Sequence, residues 1–326
     1  MVSRRTLALG VAASLLFGGT FVAAKAGLDH FPPLLFVALR FDVAAVALLG
    51  YVTLTRSRDD LLPTSRSDAL GVLSTGLLAL GLTNAFLFVG QQDATSAVGA
   101  IVFSLNPILT PVFAALLLAD ERLSKRGATG LLVGLLGVGL VVNPDPAMLF
   151  GGGGGKLLLF GGAVSGALGS VLVRWSDSDL SSTVRTAWAL PVAAGLCHTL
   201  SWQAGESVAA VSWGPAALVA LLYVGVFAGA IAYVAYFGLL DNAGATHANL
   251  VFYVVPVVST LGGWALLGES ISEFTVVGFL TVFAGFVVLG SESLSLPALG
   301  TSLPREAAAS TDALGVGEDA TGFESD

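Results

Sequence analysis

The sequence predicts an all-α membrane protein of ten transmembrane helices arranged as two inverted five-helix repeats. Three observations carry that prediction. Of 326 residues, 55% are apolar and only 11% charged, less than half the roughly 25% charge typical of a soluble domain. Long apolar runs divided by short charged loops recur from end to end. Landmarks of the first half return in the second at a nearly constant offset.

The runs are about 17–25 residues long, enough for a helix to cross the hydrocarbon core, whereas barrel strands need about 9–11. In lipid only helices or closed barrels satisfy every backbone polar group. The first span, 7–28, lies in "SRRTLALGVAASLLFGGTFVAAKAG", which also resembles a secretory signal with twin arginines. The residues after it form further apolar runs rather than a soluble domain, so it is read as a span. The second, 32–55, opens at a Pro-rich start and carries Arg40 and Asp42; the third, 69–90, carries Asn84; the fourth, 97–118, carries Asn106, Pro107 and Pro111. The fifth, 127–143, is short. After the linker composition "NPDPAMLFGGGGG" come 156–175 and 183–203, the latter the least hydrophobic and holding Trp188. Spans 214–238, with Tyr233 and Tyr236, 247–268, with Asn249, Tyr253 and Pro256, and 274–291 complete the set.

Lys and Arg accumulate on the cytoplasmic side of membrane proteins. With the N terminus inside, eleven of them (Arg4, Arg5, Arg56, Arg58, Arg66, Arg122, Lys125, Arg126, Arg174, Arg185 and Arg305) face the cytoplasm and two, Lys25 and Lys156, face out, while Arg40 is intramembrane. Both termini are therefore expected in the cytoplasm of a multi-pass cell-membrane protein. The net charge of −8 is concentrated after Pro297, where six acids against Arg305 give −5; that segment reads as a disordered acidic tail.

The stretches "ATSAVGAIVFSLNPILTPVFAALLLADE" and "ATHANLVFYVVPVVSTLGGWALLGE" resemble one another. Ala94, Phe103 and Pro107 fall on Ala243, Phe252 and Pro256, each 149 later; Glu121, Gly130 and Gly137 fall on Glu269, Gly278 and Gly285, each 148 later. Lys25 and Arg174, and Gly76 and Gly225, are also 149 apart. Because five spans is an odd number, the second copy inserts upside down, the architecture of many secondary transporters. The expected division is repeat 1 at 1–146, a Gly-rich linker at 147–155, repeat 2 at 156–295 and the tail at 296–326.

Over about residues 1–295 the chain resembles the EamA-type drug/metabolite transporter superfamily. The likeness rests on "LLFGGTFVAAKAGLDHFPPLLFVALRF" and on the paired Pro-x13-Glu and Pro-x12-Glu stretches. It implies ten helices in two five-helix repeats and transport of a small molecule. Phe17-Gly18 stands where the family usually has Trp-Gly, and Arg40 matches the arginine following the Pro-rich start of helix 2. Helix 1 lacks the intramembrane glutamate with which the small multidrug relatives couple to protons.

Proline in a helix removes a backbone bond, so Pro107 and Pro256 free the carbonyls of Phe103 and Phe252. Such breaks belong where protein or a water-filled path covers them. They are read as gating bends beside the substrate path, the alternative being packing kinks. Polar residues within spans are costly and often functional. Arg40, Asn84, Asn106, Trp188, Tyr233, Asn249 and Tyr253 are the substrate-binding candidates, each alternatively a helix-bridging or interface residue. Arg40 and Asp42, two apart, point to different helix faces. Asp42, the only carboxylate well inside a span, is the proton-coupling candidate, with an interhelical hydrogen bond as the alternative. Glu121 and Glu269, at span ends, read as structural. Paired glycines four apart let backbones approach.

No phosphate loop, HExxH, nucleophile elbow or paired-Cys motif is present. The single Cys197 and three scattered histidines form no metal motif, and neither cofactor, metal nor nucleic acid is expected. The leading reading is a secondary transporter, not an enzyme, that exports a small organic metabolite such as an amino acid or amine by alternating access, as a monomer or homodimer in the bilayer. The alternatives are an exchanger of anionic sugars or nucleotides, which needs several cations along the path, a membrane enzyme acting on lipid, and a non-transporting sensor whose tail is an interaction arm.

Overall fold

The computed structural model describes residues 4–58, 60–118, 125–142, 154–249 and 251–294, without the side chains of 142, 241, 243–249, 286 and 289–294. The described residues are helical with no strand. Helix α1 (Arg4–Gly27) turns into α2 (Pro33–Thr55), whose proline sits in the first turn, where a missing N–H costs nothing. The third long helix starts at α3 (Arg66–Leu73), where Ser65 and Asp68 form a capping box. It widens into a π segment (Ser74–Leu82) and ends as α4 (Thr83–Gly90).

The fourth is broken. Helix α5 (Ser96–Phe103) stops two residues before α6 (Asn106–Leu117), which places Pro107 in the first turn of a new helix. Helix α7 (Lys125–Val142) closes the first half. The second half runs α8 (Gly155–Trp175), α9 (Ser182–Gln203), α10 (Pro215–Leu222), a second π segment (Tyr223–Ile231), α11 (Ala232–Asn249), α12 (Val251–Leu267) and α13 (Glu273–Leu294).

The all-helical architecture agrees with the sequence expectation, and two features differ from it. Among the described residues six helices are long and apolar enough to cross a membrane, and Val251–Leu267 and the Glu273–Gly285 part of α13 are further apolar stretches, beside the ten spans expected. Helix α7 is short, and α9 carries Arg185 and His198 among its apolar residues. The chain stays helical through 239–249, where Asp241, Asn242 and Gly244 read as a loop. Pro256 lies inside an unbroken helix, unlike Pro107. The expected linker lies outside the described residues except for 154 and 155, and the acidic tail lies wholly outside them.

The two π segments are equivalent in position: Ser74 and Tyr223, and Leu82 and Ile231, are each 149 apart. At the end of the first, the backbone N–H of Thr83 donates to Leu78 O, five residues back. Leu78 O accepts from Thr83 Oγ1 at 2.7 Å and from Ser165 Oγ of α8 at 3.0 Å. Packing repeats with the same offset. Helix α1 lies on α12 as α8 lies on α6; α2 lies on the second π segment as α9 lies on the first; α2 and α9 pack on each other, as do α7 and α13.

Glycine makes these crossings possible. A Cβ at Gly225 would stand 2.8 Å from Val43 Cβ and 3.3 Å from Arg40 O, and one at Gly76 would stand 2.7 Å from Val192 Cβ and 2.8 Å from Ala189 O. Val43 and Val192, like Arg40 and Ala189, are 149 apart. At the α7–α13 crossing, Gly137 meets Gly278 and Val282, while Gly285 meets Gly130 and Gly134.

Candidate functional site

The polar centre of the fold is built on α2. Two turns after Pro33, Arg40 turns inward and is 3% exposed. Its Nη1 donates to Asn84 Oδ1 at 3.0 Å, and Asn84 Nδ2 donates to Leu80 O at 2.8 Å. The asparagine is thus oriented by a carbonyl of the first π segment. The guanidinium carbon lies 5.1 Å from the Phe41 ring centre and 5.3 Å from that of Phe88, within cation–π range. Nε is buried and has no hydrogen-bond partner among the described residues. Tyr233 of α11 and Cys197 of α9 lie within electrostatic reach of the same guanidinium.

An aromatic cluster continues from Tyr233. Phe17 of α1 sits edge-on to Tyr233 at 5.3 Å and to Tyr236 at 6.0 Å, and Tyr236 packs against Phe252 at 5.7 Å. The Phe17 position, where the resemblance expects Trp, therefore joins the two halves through rings. Arg40 supplies charge at one end and the rings supply apolar surface at the other. Such an arrangement can bind an amphipathic molecule by its polar head and its body.

Asp42 leaves this centre. Its Oδ2 lies 2.8 Å from His198 Nε2 on α9, with the two side chains 48% and 44% exposed. Asn106 follows the break in the fourth helix. Its backbone oxygen accepts from Thr110 Oγ1 at 2.8 Å, and its amide lies against Gly166 of α8. Trp188 Nε1 donates to Leu61 O at 2.7 Å. Tyr253 packs edge-on to Phe283 of α13 at 5.6 Å, on another side from Tyr236. Pro256 is buried within α12 beside Val255, whose carbonyl faces Gly18 of α1. Asn249 ends α11, and its side chain lies outside the described residues. Arg40 is bonded to Asn84, with Tyr233 within electrostatic reach; the contacts of Asn106, Trp188 and Tyr253 given above are to other residues.

Sequence reasoning passed over His198 and Glu206. A lone mid-span carboxylate calls for a partner, and His198, inside the seventh span, was the available signal. Glu206 follows α9 and accepts from the backbone of Leu34 at 3.1 Å and Leu35 at 2.6 Å, at the start of α2. A carboxylate there complements the free N–H groups of a helix N-terminus. Glu269 plays the same part for α5, accepting from Ser96 N at 2.9 and 3.0 Å and from Ser96 Oγ at 3.2 Å. Glu121 lies outside the described residues. Beside Glu269, Ser259 Oγ donates to Ser96 O, and Lys25 Nζ donates to Gln91 O at 2.6 Å. Among the described residues no group of three or more His, Cys, Asp or Glu side chains is placed to hold a metal.

Comparison with known proteins gives one family. The model of the EamA-like transporter family matches twice, over residues 4–143 and 153–291. The uncharacterized transporter YyaM of Bacillus subtilis (strain 168) is 27% identical over 298 residues, covering 88% of this chain and 94% of that protein. The uncharacterized inner membrane transporter YedA of Escherichia coli (strain K12) is 30% identical over 280 residues, covering 85% and 88%. One crystal structure superposes with a TM-score of 0.62 at 22% identity, covering 90% of this chain and all of the other, a likeness of fold.

Proposed function

We propose that this chain, which belongs to the EamA-like transporter family and is a multi-pass membrane transporter rather than an enzyme, exports a small organic metabolite by alternating access of two inverted five-helix halves. The halves are 1–146 and 156–295, with ten spans and both termini in the cytoplasm. The observation that carries this reading is the recurring offset of 149. It relates the π segments, the helix pairs that cross and the glycines at those crossings. The double match of the family model supports the same division.

An inverted pair can exchange conformations around a fixed centre, which is the usual origin of alternating access. Arg40, Asn84 and Tyr233 form that centre in this reading. Pro107 and Pro256 mark the helices that bend: the break after Phe103 separates α5 from α6, and Pro256 withholds an N–H inside α12. Asp42 is the proton-coupling carboxylate, and its 2.8 Å contact with His198 supplies a second protonatable group. Asn106, Asn249, Tyr253 and Trp188 stay as candidates for conformations in which the halves have moved.

The test is uptake and counterflow in proteoliposomes against amino acids, amines and sugars, with and without a pH gradient. Saturable flux supports the reading. The absence of flux with any compound, from correctly inserted protein, would sink it. A reporter fused to each terminus checks orientation, and a reporter active only outside the cell would overturn the cytoplasmic assignment.

A further inference from the structure

We infer that the transported molecule is a monocarboxylate with an apolar or aromatic body, and that Arg40 is the residue that recognises its carboxylate. This rests on the reading of the Arg40 centre as the substrate site. A guanidinium presents five N–H donors in a fork shaped for carboxylate. Arg40 is buried to 3% exposure, yet among the described residues one amide oxygen, Asn84 Oδ1, is its hydrogen-bond acceptor, and its buried Nε has none. Among the described residues no carboxylate faces it: Asp42, two residues on, is turned to His198. The groups that do approach, Phe41, Phe88, Tyr233 and Cys197, carry no fixed negative charge.

Burying a charge without a counter-charge is among the costliest arrangements in a protein. Cation–π contacts with two rings recover part of that cost, and one hydrogen bond to a neutral amide recovers a little more. A purely helix-bridging arginine would be expected to spend its donors on protein carbonyls or carboxylates. Among the described residues this one makes a single hydrogen bond and leaves its buried Nε without an acceptor beside an aromatic cluster, as a receptor for an anion would.

The charge count sets the class. Of the segments meeting at Arg40, α4 and α11 contain no Lys or Arg, and α9 contains only Arg185, which bonds to Leu180 O and Ser182 Oγ. One guanidinium matches one carboxylate; a nucleotide or sugar phosphate would leave charge unmatched. An amine without a carboxylate would bring a second cation against Arg40, which the low dielectric of the interior penalises. Tyr233, Phe17, Tyr236 and Phe252 then offer rings to the body of the molecule.

The experiment uses the full chain in proteoliposomes and matched triplets of probe: phenylacetate, phenylacetamide and phenethylamine, with the corresponding butyrate series. Counterflow is measured for the native chain, Arg40→Gln, Arg40→Lys and Asn84→Asp. Asn84→Asp keeps Arg40 in place but supplies an internal carboxylate that occupies its fork. The acids are expected to exchange while the amides and amines do not. Arg40→Gln and Asn84→Asp should both reduce acid exchange by about 30-fold or more, the loss typical of truncating a buried charge pair. Arg40→Lys should retain a fraction of it, because the charge remains without the fork.

Exchange of amines or amides as fast as acids, or acid exchange unchanged in Asn84→Asp, would overturn the inference while leaving a transporter. Exchange of no probe by the native chain, when the wider panel does show flux, would also overturn it. No flux of any compound would remove the transport reading beneath it.

Discussion

Asn84, which accepts a hydrogen bond from the Arg40 guanidinium, and Tyr233, which lies within electrostatic reach of it, stand 149 residues apart in the chain. One gives a hydrogen-bond acceptor and the other a phenol ring with a hydroxyl. Two positions related by the offset thus lie near one guanidinium with different chemistry.

Removing the acceptor should be felt as stability. Asn84→Ala leaves Arg40 without its hydrogen-bonding partner, and a bond to a charged group is worth about 1.5–3 kcal/mol. Thermal unfolding in detergent is expected to show a lower Tm for Asn84→Ala and a recovered or raised one for Asn84→Asp. Equal Tm values for all three chains would mean that Arg40 finds other acceptors.

The Asp42–His198 contact separates coupling from structure. Asp42→Asn is expected to abolish the response of flux to a pH gradient while counterflow of substrate persists. His198→Gln removes the 2.8 Å partner of Asp42 and is expected to weaken the response to the gradient rather than eliminate transport. A gradient response intact in Asp42→Asn would return this carboxylate to a bridging role between α2 and α9.

The two π-segment crossings should respond alike. A side chain at Gly225 would collide with Val43, and one at Gly76 with Val192. Gly225→Val and Gly76→Val are each expected to cost about 1–3 kcal/mol by overpacking and to slow flux in inserted protein. A strong effect at one position and none at the other would show that only one crossing slides during transport.

The carboxylates at helix starts make an accessibility prediction. Glu269→Gln weakens the cap on α5, and loss of a cap costs about 0.5–2 kcal/mol. In a background lacking Cys197, a cysteine at Ser96 should react faster with a membrane-impermeant maleimide when Glu269→Gln is present. Glu206→Gln should do the same for a cysteine at Leu34. Unchanged labelling would mean the caps do not hold that end shut.

Deleting residues 297–326, which follow both stretches matched by the family model, is expected to leave flux largely unchanged. Complete loss with normal insertion would favour a tail-gated or sensing role.

Much of this was legible in the sequence because it depends on composition and periodicity. Apolar runs of membrane length, the offset between halves and the intramembrane Arg40 needed no coordinates. The π segments were hidden, since "STGLLALGL" and "YVGVFAGAI" read as ordinary apolar helix and a wider turn leaves no mark in hydropathy. His198 was hidden differently. Its significance arises from the crossing of α2 and α9, a tertiary event that places it on Asp42. The break after Phe103 was anticipated as a proline effect, but a bend and a new helix start give the same local pattern. At 239–249, residues typical of turns continue a helix, the familiar override of propensity by context.

The crossing of α7 with α13 has the form of a contact between two copies of one chain. Gly137 meets Gly278, and the residues equivalent to each of these, Gly285 and Gly130, meet in return. That reciprocity defines an isologous interface, here closed within a single polypeptide. Two identical half-length chains meeting in this way would carry every intramembrane charge twice, facing itself across the axis. Joined in one gene, the halves are free to differ: where the first has Arg40, the second has Ala189. A repeated frame can in this way enclose a centre in which Arg40 has no charged counterpart.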